Sequence, residues 1–252
     1  MLLQVCKALP AASHTFYNCN ARSGLLIYQL QRLRTSLEPV LHDLDNPRSS
    51  AAFKAFFKDI DHAPFVRRVL ENITTGAPTS TVDGSGITPS FVCLDGPGQL
   101  KTTDGDIDLY TRCSDQQEDG GDGLVASAMV ESPDKPLVAI CPSFFRAPFS
   151  SQRINGPCLK LHGGYFTEDG SSLVDRQMWI LMHELVHFCL FWGSGARLDF
   201  YSVQECLALK KNKTVENVAN YVFYAASEFP SSSSSLQHFH GTIRGSEYYL
   251  SD

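Results

Sequence analysis

Two histidines and a glutamate stand together in His183-Glu184-Leu185-Val186-His187, and that spacing suits the binding and use of a divalent metal. On a helix, residues four apart leave from one face, so both imidazoles can reach a single ion at about 2.0–2.1 Å. Glu184 leaves at another angle, yet it lies close enough to take a proton from a water held by that ion. A solitary buried histidine is usually a satisfied core residue. Here two imidazoles and a carboxylate interrupt one long apolar run, and burying such groups unpaired costs about 2–7 kcal/mol each. A dication offsets that cost, so zinc (Zn2+) is the expected cofactor. A catalytic zinc takes three protein ligands and keeps one position open. After His187 the candidates for the third ligand are Asp199, twelve residues on beyond a glycine turn, Glu205, beside Cys206 on a mostly apolar run, and the remote histidines.

The motif must sit on a rigid, buried element, and the flanking residues supply one. Ser172 and Asp175 form an S-x-x-D capping box, so a helix should begin near Leu173. From there to Trp192 the chain is apolar on all sides, which marks a core helix, and Gly193 and Gly195 end it. Upstream, Ser23 to Asp43 reads as an amphipathic helix carrying Leu25, Leu26, Tyr28, Leu30, Leu33, Leu37 and Leu41. A second helix holds Ala51, Phe53, Phe56, Phe57 and Ile60. Pro64 interrupts the pattern, and a third helical piece runs from Phe65 to Ile73. Two strands are expected, Phe91 to Leu94 and the stronger Leu137 to Cys141, and a last helix from Thr214 to Glu228. The serines 231–235 read as a linker to a C-terminal tail, in which His238 and His240 form a surface pair rather than a metal site.

Composition sets the class. The chain has 252 residues, 43% hydrophobic and 19% charged, enough for a globular core. Its net charge of −6 disfavours nucleic acid as a partner, and no apolar run is long enough to span a membrane. Between Cys93 and Asp134 ten carboxylates face only Lys101 and Arg112, a local net charge of −8. This segment is read as a solvated excursion that can attract basic substrates. Asp104, Asp106 and Asp108 alternate as in a calcium loop, but Leu109 occupies the position that needs glycine.

Eight cysteines without a C-x-x-C pair, together with the sequons at Asn72 and Asn212, favour a secreted, disulfide-bonded protein. Met1 to Ser13 nevertheless shows no secretory leader. Two bridges are expected, Cys93–Cys113 and Cys189–Cys206. The latter would close about 17 residues around Asp199, worth about 3 kcal/mol in the chain-entropy model.

His183-Glu-Leu-Val-His187 followed by Leu198-Asp199-Phe-Tyr201 resembles the aspzincin metallopeptidases, the fungal deuterolysin family and its lysine-specific relatives. Ile140-Cys-Pro-Ser-Phe-Phe145, Glu205-Cys-Leu-Ala-Leu209, Asn217-Val-Ala-Asn-Tyr221 and the stretch Phe53 to Asp59 extend the likeness over residues 50–228. The resemblance implies an α+β zincin-like metallopeptidase domain over residues 1–230, with a helical part at about 20–75 and a catalytic part at about 85–228. It implies zinc held by His183, His187 and Asp199, Glu184 as general base, and a tyrosine that steadies the oxyanion. The family pattern G-T-x-D-x-x-Y-G is altered here: Tyr201 comes one residue early and both glycines are replaced, so Tyr221 or Tyr224 is an alternative to it. The expected activity is zinc-dependent endopeptidase action by a monomer on protein or peptide substrates, with no nucleic-acid or membrane partner. The alternative is a secreted zinc-binding or effector-type protein of the same fold with little turnover.

Overall fold

The computed structural model describes residues 14–75, 88–94, 99–102, 105–108, 113, 126–132, 135–145, 173–191, 200 and 203–228. It combines helices with a small, mostly parallel sheet, an α+β arrangement. The first helix, α1 (Ser23–Asp43), covers the span its leucine spacing predicts and buries Leu26, Leu30, Leu33, Leu37 and Val40. Its register differs in one respect. Tyr28 is half exposed, with Arg32 over its ring, and the polar Gln29 takes the buried place instead.

The aromatic stretch after α1 forms α2 (Ala51–Phe56), capped by the Ser50 hydroxyl accepting from the Phe53 amide. A 3-10 turn at Ile60–His62 then leads into α3 (Ala63–Thr75). Pro64 falls in the first turn of α3, where a missing N–H costs nothing, so it opens the helix instead of interrupting it. Lys58, at the end of α2, adopts a left-handed φ of 61°. Its ammonium donates to the carbonyls of Leu207 and Leu209, at the end of a later helix.

The main sheet has the order β1-β2-β6-β5. Strands β1 (Phe16–Tyr17), β2 (Ser90–Cys93) and β6 (Lys135–Ile140) run parallel, and β5 (Ala126–Ser132) lies antiparallel at the edge. The strands expected around residues 91–94 and 137–141 are β2 and β6. Their side chains alternate between faces with the strand period of two. Phe91, Cys93, Val138 and Ile140 join the helical core, while Val92, Leu94, Leu137 and Ala139 pack on the other face with Cys113 and Cys141.

Part of the acidic excursion is ordered rather than loop: β3 (Gln99–Thr102) and β4 (Gly105–Asp108) make an antiparallel hairpin with Lys101 opposite Asp106. Its polar residues carry little of the apolar alternation by which a strand is recognised.

Among the described residues the bridges are Cys19–Cys93 and Cys113–Cys141, not those expected. Cys93 faces the helices and Cys113 belongs to the opposite face, so the sheet itself separates them. Cys189 and Cys206 are buried thiols and form no bridge with each other. Cys6 and Cys158, like the serine linker and the tail with His238 and His240, lie outside the described residues.

The short α4 (Pro142–Phe145) follows β6. The central helix α5 (Leu173–Phe191) begins where the capping box places it, and α6 (Val203–Ala208), a 3-10 segment and α7 (Val218–Glu228) complete the described chain. Helix α5 packs against α1, α3, α7 and β5, and from Gln177 to Leu190 every residue but His187 is buried. Phe53 and Phe57 of the α2 region meet Tyr221 and Tyr224 of α7 at ring-centroid distances of 5.0–5.8 Å. Among the described residues no helix is long and apolar enough to cross a membrane.

The Cys19–Cys93 bridge spans 74 positions of sequence. Its removal by Cys19→Ser with Cys93→Ser is expected to lower stability by about 4 kcal/mol in the chain-entropy model. Urea unfolding under non-reducing conditions measures this, and an unchanged midpoint contradicts it.

Candidate functional site

Helix α5 brings its polar residues into the core because its other faces are apolar and already covered. His183 and Glu184 are nearly inaccessible, at 5% and 7% exposure, and His187 is half-buried. The two rings lie edge to face, and their Nε2 atoms approach to 3.0 Å. Two unprotonated ring nitrogens repel at that distance, so either a proton or a cation must lie between them. Two nitrogens bound to one tetrahedral zinc at 2.0–2.1 Å stand about 3.3 Å apart. The pair therefore fits a zinc ion with a shift of a few tenths of an ångström.

Glu184 points elsewhere, as its position one residue from His183 requires. One carboxylate oxygen accepts a 2.6 Å hydrogen bond from the backbone amide of Ala128 on edge strand β5. Ala128 pairs with Val138 of β6, and its N–H is directed away from that partner toward α5. The glutamate is thus held between the central helix and the rim of the sheet. Main-chain donors have no side-chain signature, so nothing in the sequence marks Ala128 for this part.

A second buried chain of amides orients α5 itself. Gln29 donates to the Gln177 side chain at 3.2 Å, and Gln177 donates to the Phe144 carbonyl at 2.7 Å. This links α1, α5 and α4 at the level of the first turns of α5.

Asp199 and Tyr201 lie outside the described residues. Phe200 between them is described: the residue is 36% exposed, and its amide donates to Asn217 Oδ1 at 2.9 Å. The other acid, Glu205, sits exposed on α6. Among the described residues no group of three or more His, Cys, Asp and Glu side chains is placed to hold an ion. What is described is the histidine pair and its neighbouring carboxylate.

Neither alternative tyrosine is directed at open space. Tyr221 is fully buried, and its hydroxyl donates to the Val215 carbonyl at 2.9 Å. Tyr224 donates to Asp43 at 2.6 Å. Burial pushes both phenols above their ordinary range, and the Asp43 contact adds to the effect at Tyr224. Both belong to the aromatic core between α2 and α7. Cys189 is likewise buried, and desolvation raises its thiol well above the usual range. The chain matches no protein-family model and no curated protein sequence.

Tyr224→Phe leaves Asp43 without its donor, and a loss of about 1–3 kcal/mol is expected. Chemical denaturation measures it; wild-type stability in this variant contradicts a structural role for the hydroxyl.

Proposed function

We propose that this chain is a zinc-dependent metalloendopeptidase of the aspzincin kind, with a zincin-like fold. The observation that carries the proposal is the pair of imidazole nitrogens 3.0 Å apart on a buried helix, with the intervening glutamate held at the sheet edge. His183, His187 and Asp199 are the proposed ligands. When bound, zinc supplies Lewis-acid polarisation of the scissile carbonyl and of the attacking water. Glu184 takes the proton from that water and passes it to the departing amine.

Strand β5 has a matching use. It lies at the edge of the sheet, and an extended peptide can add to such an edge by main-chain hydrogen bonds. The acidic excursion favours basic substrates, and the two disulfides accord with a secreted protein.

A second reading is a zinc-binding or effector-type protein with little turnover. The engaged hydroxyls of Tyr221 and Tyr224 favour it, since neither substitutes for the displaced Tyr201.

Purified protein is expected to contain one zinc per chain and to cleave casein in a chelator-sensitive manner. Glu184→Gln is expected to keep the zinc and to lose about 10²–10⁴-fold in cleavage rate. Undiminished cleavage by that variant overturns the mechanism. Zinc without chelator-sensitive cleavage selects the second reading, and absence of zinc overturns both.

A further inference from the structure

Gln177 and Glu184 stand seven residues apart on α5, so they leave from nearly the same side of the helix, at levels about 10.5 Å apart. At both levels that side meets main chain belonging to the sheet or following directly from it. Gln177 Nε2 donates to the Phe144 carbonyl at 2.7 Å, and a Glu184 carboxylate oxygen accepts from the Ala128 N–H at 2.6 Å. The two main-chain groups are parts of one frame. Ala128 lies on β5 opposite Val138 of β6, and Phe144 lies in the helical turn after β6, its own amide on the Cys141 carbonyl at 3.0 Å.

The opposite polarity of the two contacts makes them a register. The Phe144 carbonyl needs a donor and the Ala128 N–H an acceptor. Turning α5 by one residue, about 100°, brings Met178 and Leu185 to those places. Neither can serve, because methionine has no donor and leucine no acceptor. Gln177, Glu184 and Phe144 are buried, so a group stranded there has no water to turn to. Gln29 holds the arrangement from the other side. The Phe144 carbonyl can only accept, so Gln177 Nε2 must face it, which leaves Oε1 for Gln29 Nε2 on α1 at 3.2 Å. Both ends of the Gln177 amide are thus engaged at once.

We infer that Gln177 is a positioning residue for Glu184: its amide, held between Gln29 and Phe144, fixes the rotation of α5 at which the Glu184 carboxylate reaches the Ala128 N–H. The catalytic consequence rests on the metallopeptidase reading above, in which Glu184 is the general base. The mechanical link between the two residues does not. Gln177 acts through Glu184 and takes no part in bond-making itself.

The test is amide hydrogen exchange, followed by NMR on the full-length chain and read at Ala128, with thermal unfolding of the same samples as the folding control. The Ala128 N–H points away from β6 at the edge of the sheet, so its protection reports the bond to Glu184. Glu184→Ala is expected to exchange there about 10-fold faster than wild type. Gln177→Met keeps the volume and removes both amide bonds. It is expected to speed exchange at Ala128 by about 10-fold as well, while the amides of β2 and β6 keep their wild-type rates. Added to Glu184→Ala, it is expected to change nothing further at Ala128. Wild-type exchange at Ala128 in either single variant, or an equal acceleration of the β2 and β6 amides in Gln177→Met, overturns the inference. Should Gln177→Met not unfold cooperatively, Gln177→Asn, one methylene too short to span Gln29 and Phe144, takes its place with the same outcomes. Where wild type cleaves casein in a chelator-sensitive manner, Gln177→Met is expected to keep its zinc and KM while kcat falls about 10–100-fold. An unchanged kcat overturns the positioning role. A wild type without such cleavage counts against the metallopeptidase reading alone, and the exchange result still decides the link between Gln177 and Glu184.

Discussion

The structure depends on the cost of placing polar groups in a helix that is buried on every side. Helix α5 is packed by helices on some faces and by β5 on another, so His183 and Glu184 cannot turn to water. Each must find a partner inside the protein. The two histidines find one another, and Glu184 finds the rim of the sheet. Edge strands present unpaired amides that need an acceptor. A buried carboxylate and an edge amide each remove the other's penalty, and their bond fixes the spacing of helix and sheet.

The same economy recurs around the centre. Gln29, Gln177, Asn217 and Asn220 are buried amides, and all four take part in bonds between separate elements of the fold. Lys58 acts similarly from the surface, where its ammonium ties the α2 turn to the end of α6. Apolar packing brings α1, α2, α5 and α7 together. The amides decide which residue lies opposite which, since a shift of register would leave several donors stranded.

Much of the helical frame was legible because its signals are local. The leucine spacing of α1 and the capping box before α5 mark their helices directly, and the apolar runs of β2 and β6 mark their strands. Pro64 differs from the expectation because proline disfavours a helix interior but suits its first turn, and the sequence alone does not say which applies. The disulfides differ from those expected because proximity along the chain does not report the face of a sheet. Cys93 and Cys113 are separated by the strand alternation that makes each of them buried. The approach of His183 and His187 follows from their helical spacing, whereas the Ala128 amide beside Glu184 has no mark in the sequence, since every residue but proline has one.

The covalent links have a consequence for a chain exposed to proteolysis. The bridge between Cys19 and Cys93 makes one ring of α1, α2, α3 and β2, and Cys113–Cys141 makes another of β5 and β6. One backbone cut within either ring leaves its two ends tethered, so no fragment departs and the broken segment can re-seat on the core it left. Within those rings a single nick alters the length of the pieces without altering the number of molecules.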